Sequence, residues 1–161
     1  MLARRFFDLL NLLHPSQMPS AFKFGIEKIA DDLRPKSPDW WIQVGALVSR
    51  NGEILLAGWN EHKPTDREAL FMGDPRSNYG RGISIELSLA DHAEAVLVGE
   101  SAKRGLSLLG SDLYVTTFPC PPCSRLVSRT GIKRLFFRSG YALLDGDSLL
   151  RKAGVEIFRV K

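Results

Sequence analysis

Two cysteines, Cys120 and Cys123, sit three positions apart in TTFPCPPCSRL, residues 116–126, and they are the only cysteines in the chain. Thiolates are good zinc ligands, and the C-x-x-C spacing lets both sulfurs converge on one ion. The same spacing also suits a disulfide or a redox pair ahead of a helix, and two small buried side chains would look no different. A second cluster discriminates. DHAEA, residues 91–95, places His92 and Glu94 where a helix should begin. Positions i and i+2 of a regular helix face nearly opposite sides. At a helix entrance, where the first residue has not settled into helical geometry, both side chains can reach one pocket. If His92 joins Cys120 and Cys123, the site has three protein ligands. A structural zinc closes its fourth position with another ligand, whereas a catalytic zinc leaves it to water. No third cysteine exists to close it, and His14 and His62 fall in an N-terminal segment and a loop.

A zinc ion with an open position lowers the pKa of water toward neutrality. Glu94 would then be the proton carrier, taking the water proton and delivering it first to a ring nitrogen and then to a departing amine. A histidine beside a glutamate is usually an ordinary surface pair, and C-x-x-C alone is ambiguous. Both halves together, each opening a helix, single out one chemistry. H-x-E followed by P-C-x-x-C is the pattern of zinc-dependent base deamination.

The elements that must position these residues are legible in outline. The chain has 161 residues, enough for one domain with a proper core. With 22 Lys+Arg against 18 Asp+Glu, the formal charge is +4, a modest surplus spread along the sequence. It suits an anionic small molecule and permits nucleic acid without demanding it. Leu2, Phe6, Leu9 and Leu13 form one stripe of a packing or oligomer-contact helix, and Pro15 to Ser20 reads as a linker. Ser20 caps a second helix running to about Arg34, with Phe22, Ile26, Ile29 and Leu33 on its apolar face and Pro35 as its stop. Two β-rich runs flank RNGE, and Asn51-Gly52 is a strong hairpin signal. Residues 60–90 read as a long functional loop or lid with one alternating piece, ISIELSL. Then helices and strands alternate: DHAEAVLVGESAKRG, DLYVTTF, PPCSRLVSRTG, KRLFFR, DGDSLLRKAG (capped by Asp145 or Asp147) and VEIFRV. A hairpin followed by that alternation predicts an α/β fold with a mixed sheet covered by helices on its faces. The organisation expected is an N-terminal helix and linker at 1–19 and a catalytic domain at 20–161. No apolar run is long enough to span a bilayer, no signal peptide is evident, and two cysteines fit a reducing cytoplasm.

These motifs resemble the cytidine deaminase superfamily, and most closely its deoxycytidylate (dCMP) deaminase branch. The resemblance runs from about Trp41 to the end and includes QVGALV, GWN at 58–60, HAE at 92–94, TTFPCPPC, TGIKRLFF, Tyr141 and LLRKAGVEI. It implies a three-layer α-β-α fold with a mixed five-stranded sheet. It also implies a zinc-dependent hydrolase of pyrimidine nucleotide metabolism that replaces the C4 amine of a cytosine nucleotide or nucleoside through hydroxide attack, releasing ammonia. Carried over residue by residue, His92, Cys120 and Cys123 would hold zinc and Glu94 would shuttle protons. Asn60 would hydrogen-bond the sugar, the Ala93 backbone would meet the pyrimidine edge, and Tyr141 would lie near the nucleotide end. A homo-oligomer is expected. The alternatives are another small aminated base, a single-stranded polynucleotide (with Trp40, Trp41, Trp59 and Tyr79 as stacking candidates), or a zinc-stabilised binding domain without catalysis. Two departures stand out. The branch continues Gly-x-Pro-x-Gly after the asparagine, whereas this chain reads EHKPT, and the loop before HAE lacks the cysteines of a second zinc site. Phosphate contacts, if made, fall to Arg67, Arg76, Arg81 or Arg138.

Overall fold

A computed structural model describes residues 26–63, 65–80, 83–140 and 145–160. The expected N-terminal helix, its linker and the Ser20 cap lie outside the described residues. Helix α1 (Ile26–Leu33) is followed by a 3-10 turn at Arg34–Lys36 that contains Pro35. The stop is the expected one, because proline lacks the N–H that would continue the ladder. Of the expected apolar face, Phe22 and the side chain of Ile26 lie outside what is described, and Ile29 and Leu33 part ways. Ile29 is partly exposed, and Ala30 and Leu33 are the residues buried against the sheet.

Strands β1 (Gly45–Arg50) and β2 (Glu53–Trp59) form an antiparallel hairpin with Arg50 opposite Glu53. Its turn is Asn51-Gly52, both at positive φ (54° and 86°). That is the mirror-image turn whose twist matches the strands, and asparagine and glycine tolerate it best. Strand β3 (Glu61–His62) pairs antiparallel with β4 (Ala90–Asp91) in a separate two-stranded ribbon. Between them lie α2 (Arg67–Met72) and 3-10 turns at Pro75–Asn78 and Ile85–Leu87. The alternating ISIELSL piece is therefore a 3-10 turn leading into a two-residue strand. The chain then runs through α3 (Ala93–Lys103), β5 (Asp112–Thr117), α4 (Pro121–Val127), β6 (Arg134–Ser139), α5 (Asp145–Lys152) and β7 (Glu156–Arg159).

The main sheet has five strands in the order β2-β1-β5-β6-β7. The β1–β5 pair is antiparallel, and β5–β6 and β6–β7 are parallel, so the sheet is mixed as the hairpin-then-alternation pattern implies. Period-two alternation sorts its residues onto two faces. Ala46, Val48, Leu113, Val115, Leu135 and Phe137 pack with Leu97 of α3, Val127 of α4 and Leu150 of α5. Leu47, Tyr114 and Phe136 face α1, where Tyr114, Phe136 and Phe158 stack at 4.6 and 5.0 Å. The three layers are thus α1, the sheet, and α3–α5. Among the described residues no helix is long and apolar enough to cross a membrane.

The α1 layer sits close enough to the sheet that only glycine fits at position 45. A Cβ there would lie 2.1 Å from the backbone oxygen of Ala30. Gly45→Ala must displace α1, and a destabilisation of about 2 kcal/mol or more is expected. The measurement is a lower urea midpoint at unchanged m-value; an unchanged midpoint would contradict this docking of α1.

Candidate active site

The two clusters singled out in the sequence meet because both occupy helix entrances. His92 is the N-cap of α3, with φ −68° and ψ 148°, and its carbonyl already accepts the first helical bond from Val96 N at 3.0 Å. Cys120 is the N-cap of α4, with φ −64° and ψ 164°, and its carbonyl accepts from Ser124 N at 2.8 Å. Pro121 and Pro122 fill the first helical positions of α4, where the missing N–H costs nothing and a fixed φ is preorganised. Extended backbone at each cap turns the side chain away from the helix and into the gap between the two entrances.

The side chains converge there. His92 Nδ1 lies 3.2 Å from Cys120 Sγ and 3.3 Å from Cys123 Sγ. The three candidate ligand atoms all fall within 4.8 Å of one another, and both cysteines are free thiols. Tetrahedral zinc with ordinary Zn–S and Zn–N bonds would separate a nitrogen and a sulfur ligand by about 3.5 Å. The donor set, one imidazole and two thiols, therefore fits zinc in both chemistry and spacing.

The cluster forms part of the wall of an open-mouthed pocket. Apolar walls come from Trp41, Ile42, Val44 and Phe118, and polar groups from Asp39, Asn60, Asp74, Arg76, His92 and Glu94. Glu94 is only 4 % exposed. Burial disfavours its charged form, and the carboxyl is pushed up to about 7 even though His92 pulls it down. Burial alone would lower His92, but its contact with Cys120 and the charges of Glu94 and Cys120 outweigh that and raise it. The cysteines divide one negative charge. A hydrogen bond from Cys123 holds Cys120 down at about 5, while the same bond and burial push Cys123 up.

Comparison with known proteins agrees with this arrangement. A sequence profile described as "Cytidine and deoxycytidylate deaminase zinc-binding region" matches residues 27–139. The chain belongs to the cytidine and deoxycytidylate deaminase family. Deoxycytidylate deaminase of Enterobacteria phage T2 is 27 % identical over 154 residues, covering 73 % of this chain and 81 % of that protein. Among solved structures, the dCMP deaminase of cyanophage S-TIM5 in complex with dCMP and dUMP superposes with a TM-score of 0.69 at 29 % identity, over 89 % of this chain and all (100 %) of that one. A diaminohydroxyphosphoribosylaminopyrimidine deaminase/reductase from Thermotoga maritima gives a TM-score of 0.56 at 25 % identity, over 82 % of this chain and 34 % of that one. The three-layer fold is that of a cytidine deaminase, and the chain is a zinc-dependent hydrolase of the deaminase kind.

Within this deaminase the other expected site residues fare differently. Ala93 is fully buried at the first position of α3, between His92 and Glu94, with its methyl in the core. Asn60 lines the pocket, but its amide is already engaged. Its Oδ1 accepts from Val44 N at 2.7 Å, and its Nδ2 donates to Asp39 Oδ2 at 3.0 Å and to Ile42 O at 2.8 Å. Asp39 Oδ1 in turn accepts from Trp41 N and Ile42 N. Asn60 thus shapes the wall that carries Trp41. Tyr141 lies outside the described residues, as does Arg81. The four aromatics named for stacking do not line one groove. Trp41 is in the pocket, Trp59 packs on the α1 face, Trp40 tilts against His62, and Tyr79 is exposed. Asp39 and Asp74 were not expected in the site; both sit in turns where aspartate commonly caps backbone, so nothing in their spacing marked them.

Because Asn60 is buried and its amide spans Val44 and Asp39, Asn60→Ala strands a backbone N–H and a carboxylate oxygen. A loss of about 2–3 kcal/mol of folding stability is expected. Chemical denaturation checks it: a variant as stable as the parent would leave Asn60 without this clamping role.

Proposed function

We propose that this chain is a hydrolytic deaminase of a cytosine nucleotide or nucleoside, dCMP-like compounds first, and that His92, Cys120 and Cys123 hold its zinc. The observation that carries the proposal is Glu94. A buried carboxyl beside one imidazole and two thiols has no use in a purely structural metal site, and its place in the pocket wall puts it against whatever enters. The likeness to the S-TIM5 enzyme, whose structure holds dCMP and dUMP, supports the choice of base.

Zinc held by these three residues would lower the pKa of a water molecule toward neutrality, making hydroxide available. The remaining work falls to the chain. Glu94 accepts the proton of the water that adds to C4 and passes it to N3. It then takes the proton of the hydroxyl now on C4 and gives it to the exocyclic nitrogen, so that C4 becomes a carbonyl as its bond to that nitrogen breaks and ammonia leaves. A carboxyl poised at about 7 suits a group that must both take and give a proton near neutral pH. No side chain caps α3. The N–H groups of its first turn have no intrahelical acceptor, so the Ala93 backbone is a fitting donor to the pyrimidine edge. Ile42, Val44 and Phe118 keep the ring in an apolar slot, where competing water is excluded.

Two measurements test this. Purified protein should hold about one zinc per chain by plasma emission, and Cys120→Ser or His92→Ala should lower that content sharply. Ammonia release should be seen with dCMP, CMP, deoxycytidine or cytidine. Glu94→Gln should keep its zinc and lose about 10²–10⁴-fold in turnover. A Glu94→Gln protein as active as the parent sinks the proton-transfer role; turnover of oligonucleotides alone sinks the small-molecule reading.

A further inference from the structure

Of the arginines that could meet a phosphate, three fall among the described residues. Arg67 is exposed at the start of α2, and Arg138 pairs with Asp31. Arg76 alone of these lines the pocket, and it is only 4 % exposed. Its Nε is buried with no hydrogen-bond partner, and none of the ion pairs among the described residues includes it. Its guanidinium lies over the Trp41 ring at 5.0 Å. That contact orients the plane of the fork but supplies no acceptor. Of the pocket's three acids, Glu94 sits with His92 and the cysteines, and neither aspartate forms an ion pair with the guanidinium. Asp74 Oδ1 accepts from the backbone N of Arg76 at 2.8 Å, and Asp39 binds Trp41 N, Ile42 N and Asn60 Nδ2.

A buried cation with an unfilled donor is costly unless a ligand completes it. We propose that Arg76 reads the 5′-phosphate of the substrate, so that the pocket selects a nucleoside monophosphate over the nucleoside. This rests on the deaminase reading above. The planar guanidinium fork matches two oxygens of a phosphate, and its charge is matched only by an anion. A base carbonyl offers one neutral acceptor and would leave the charge uncompensated. The segment after Asn60, Glu61 to Asp66, contains no glycine through which backbone could approach a phosphate closely. A side chain from the middle of the β3–β4 connection supplies the contact instead.

The test compares the zinc-loaded parent with Arg76→Gln and Arg76→Lys. In Arg76→Gln the ratio of kcat/KM on dCMP to kcat/KM on deoxycytidine should fall about 10–100-fold, chiefly through KM, as expected for loss of a charge-assisted contact. Arg76→Lys, which keeps the charge but not the fork, should recover part of that ratio. Binding gives a second readout. Tryptophan fluorescence, with Trp41 under the guanidinium, should show dUMP bound far more weakly by Arg76→Gln than by the parent. An unchanged ratio, or equal losses on dCMP and deoxycytidine, overturns the proposal; equal losses would assign Arg76 to the base or to the fold. If Arg76→Gln does not fold, as judged by its thermal midpoint, a fall in the ratio for Arg76→Lys decides in its place. A parent inactive on every cytosine compound would sink the deaminase reading, while dUMP binding by the parent and not by Arg76→Gln would still uphold the phosphate contact; dUMP binding that does not depend on Arg76 would overturn it.

Discussion

The site depends on one backbone constraint: two residues that are extended while the helices behind them have already begun. His92 and Cys120 hold ψ of 148° and 164°, yet the carbonyl of each accepts the first bond of its helix. An N-cap residue has this dual character by nature. Here no side chain is used as a cap, so both side chains are free for the gap between the entrances. The framework around them is rigid. Phe118 N bonds to Ser139 O at 2.8 Å, prolongs the β5–β6 pairing, and fixes where the strand hands over to Pro119 and Cys120. Gly146 of α5 then comes so near Ser124 that a Cβ would lie 2.1 Å from its Oγ, which locks α5 onto the first turn of α4.

Burial gives this geometry its chemistry. In a low-dielectric pocket, Glu94, two thiols and an imidazole cannot all adopt their solution charges. Ionising Glu94 and both thiols together would leave uncompensated negative charge, and a divalent cation bound by the soft donors is the natural compensation. Removing any one donor would leave the others as uncompensated buried polar groups. The same low dielectric keeps the Glu94 carboxyl near neutrality, where proton acceptance and proton donation are comparably easy. Helix position, desolvation and metal chemistry therefore describe one arrangement.

Features whose cause is local were legible in the sequence. Asn51-Gly52 announces the hairpin because few residues accept positive φ at both positions. The helix–strand alternation after residue 91 announces the parallel half of the sheet. The cysteines and HAE announce a candidate metal cluster, and the fold brings His92, Cys120 and Cys123 together. What stayed hidden depends on environment. Ala30 rather than Ile29 is buried in the interface, where α1 comes so near β1 that a Cβ at Gly45 would lie 2.1 Å from the backbone oxygen of Ala30. Short 3-10 turns and a two-residue ribbon carry no periodicity, so residues 60–90 read as loop. Resemblance assigned Asn60 to the sugar, yet only the structure reveals that its amide already spans three residues. Arg76 reads like any solvated arginine until its burial is seen.

That last contrast bears on how selectivity can be built without touching the reaction. The β3–β4 ribbon pairs Glu61 with Asp91 and His62 with Ala90, so it ties the segment just after Asn60 to the segment just before His92. The intervening residues, however irregular, must leave and return at the rim of the pocket. From that stretch come Asp74, Arg76 and Ser88 of the lining, whereas the candidate zinc ligands and Glu94 come from helices seated on the sheet. Loop closure costs little for added length, so this connection can exchange residues freely while the helix entrances stay fixed. The cavity is thereby lined by two separate pieces of chain, the β3–β4 connection on one side and the helix entrances with the candidate metal cluster on the other.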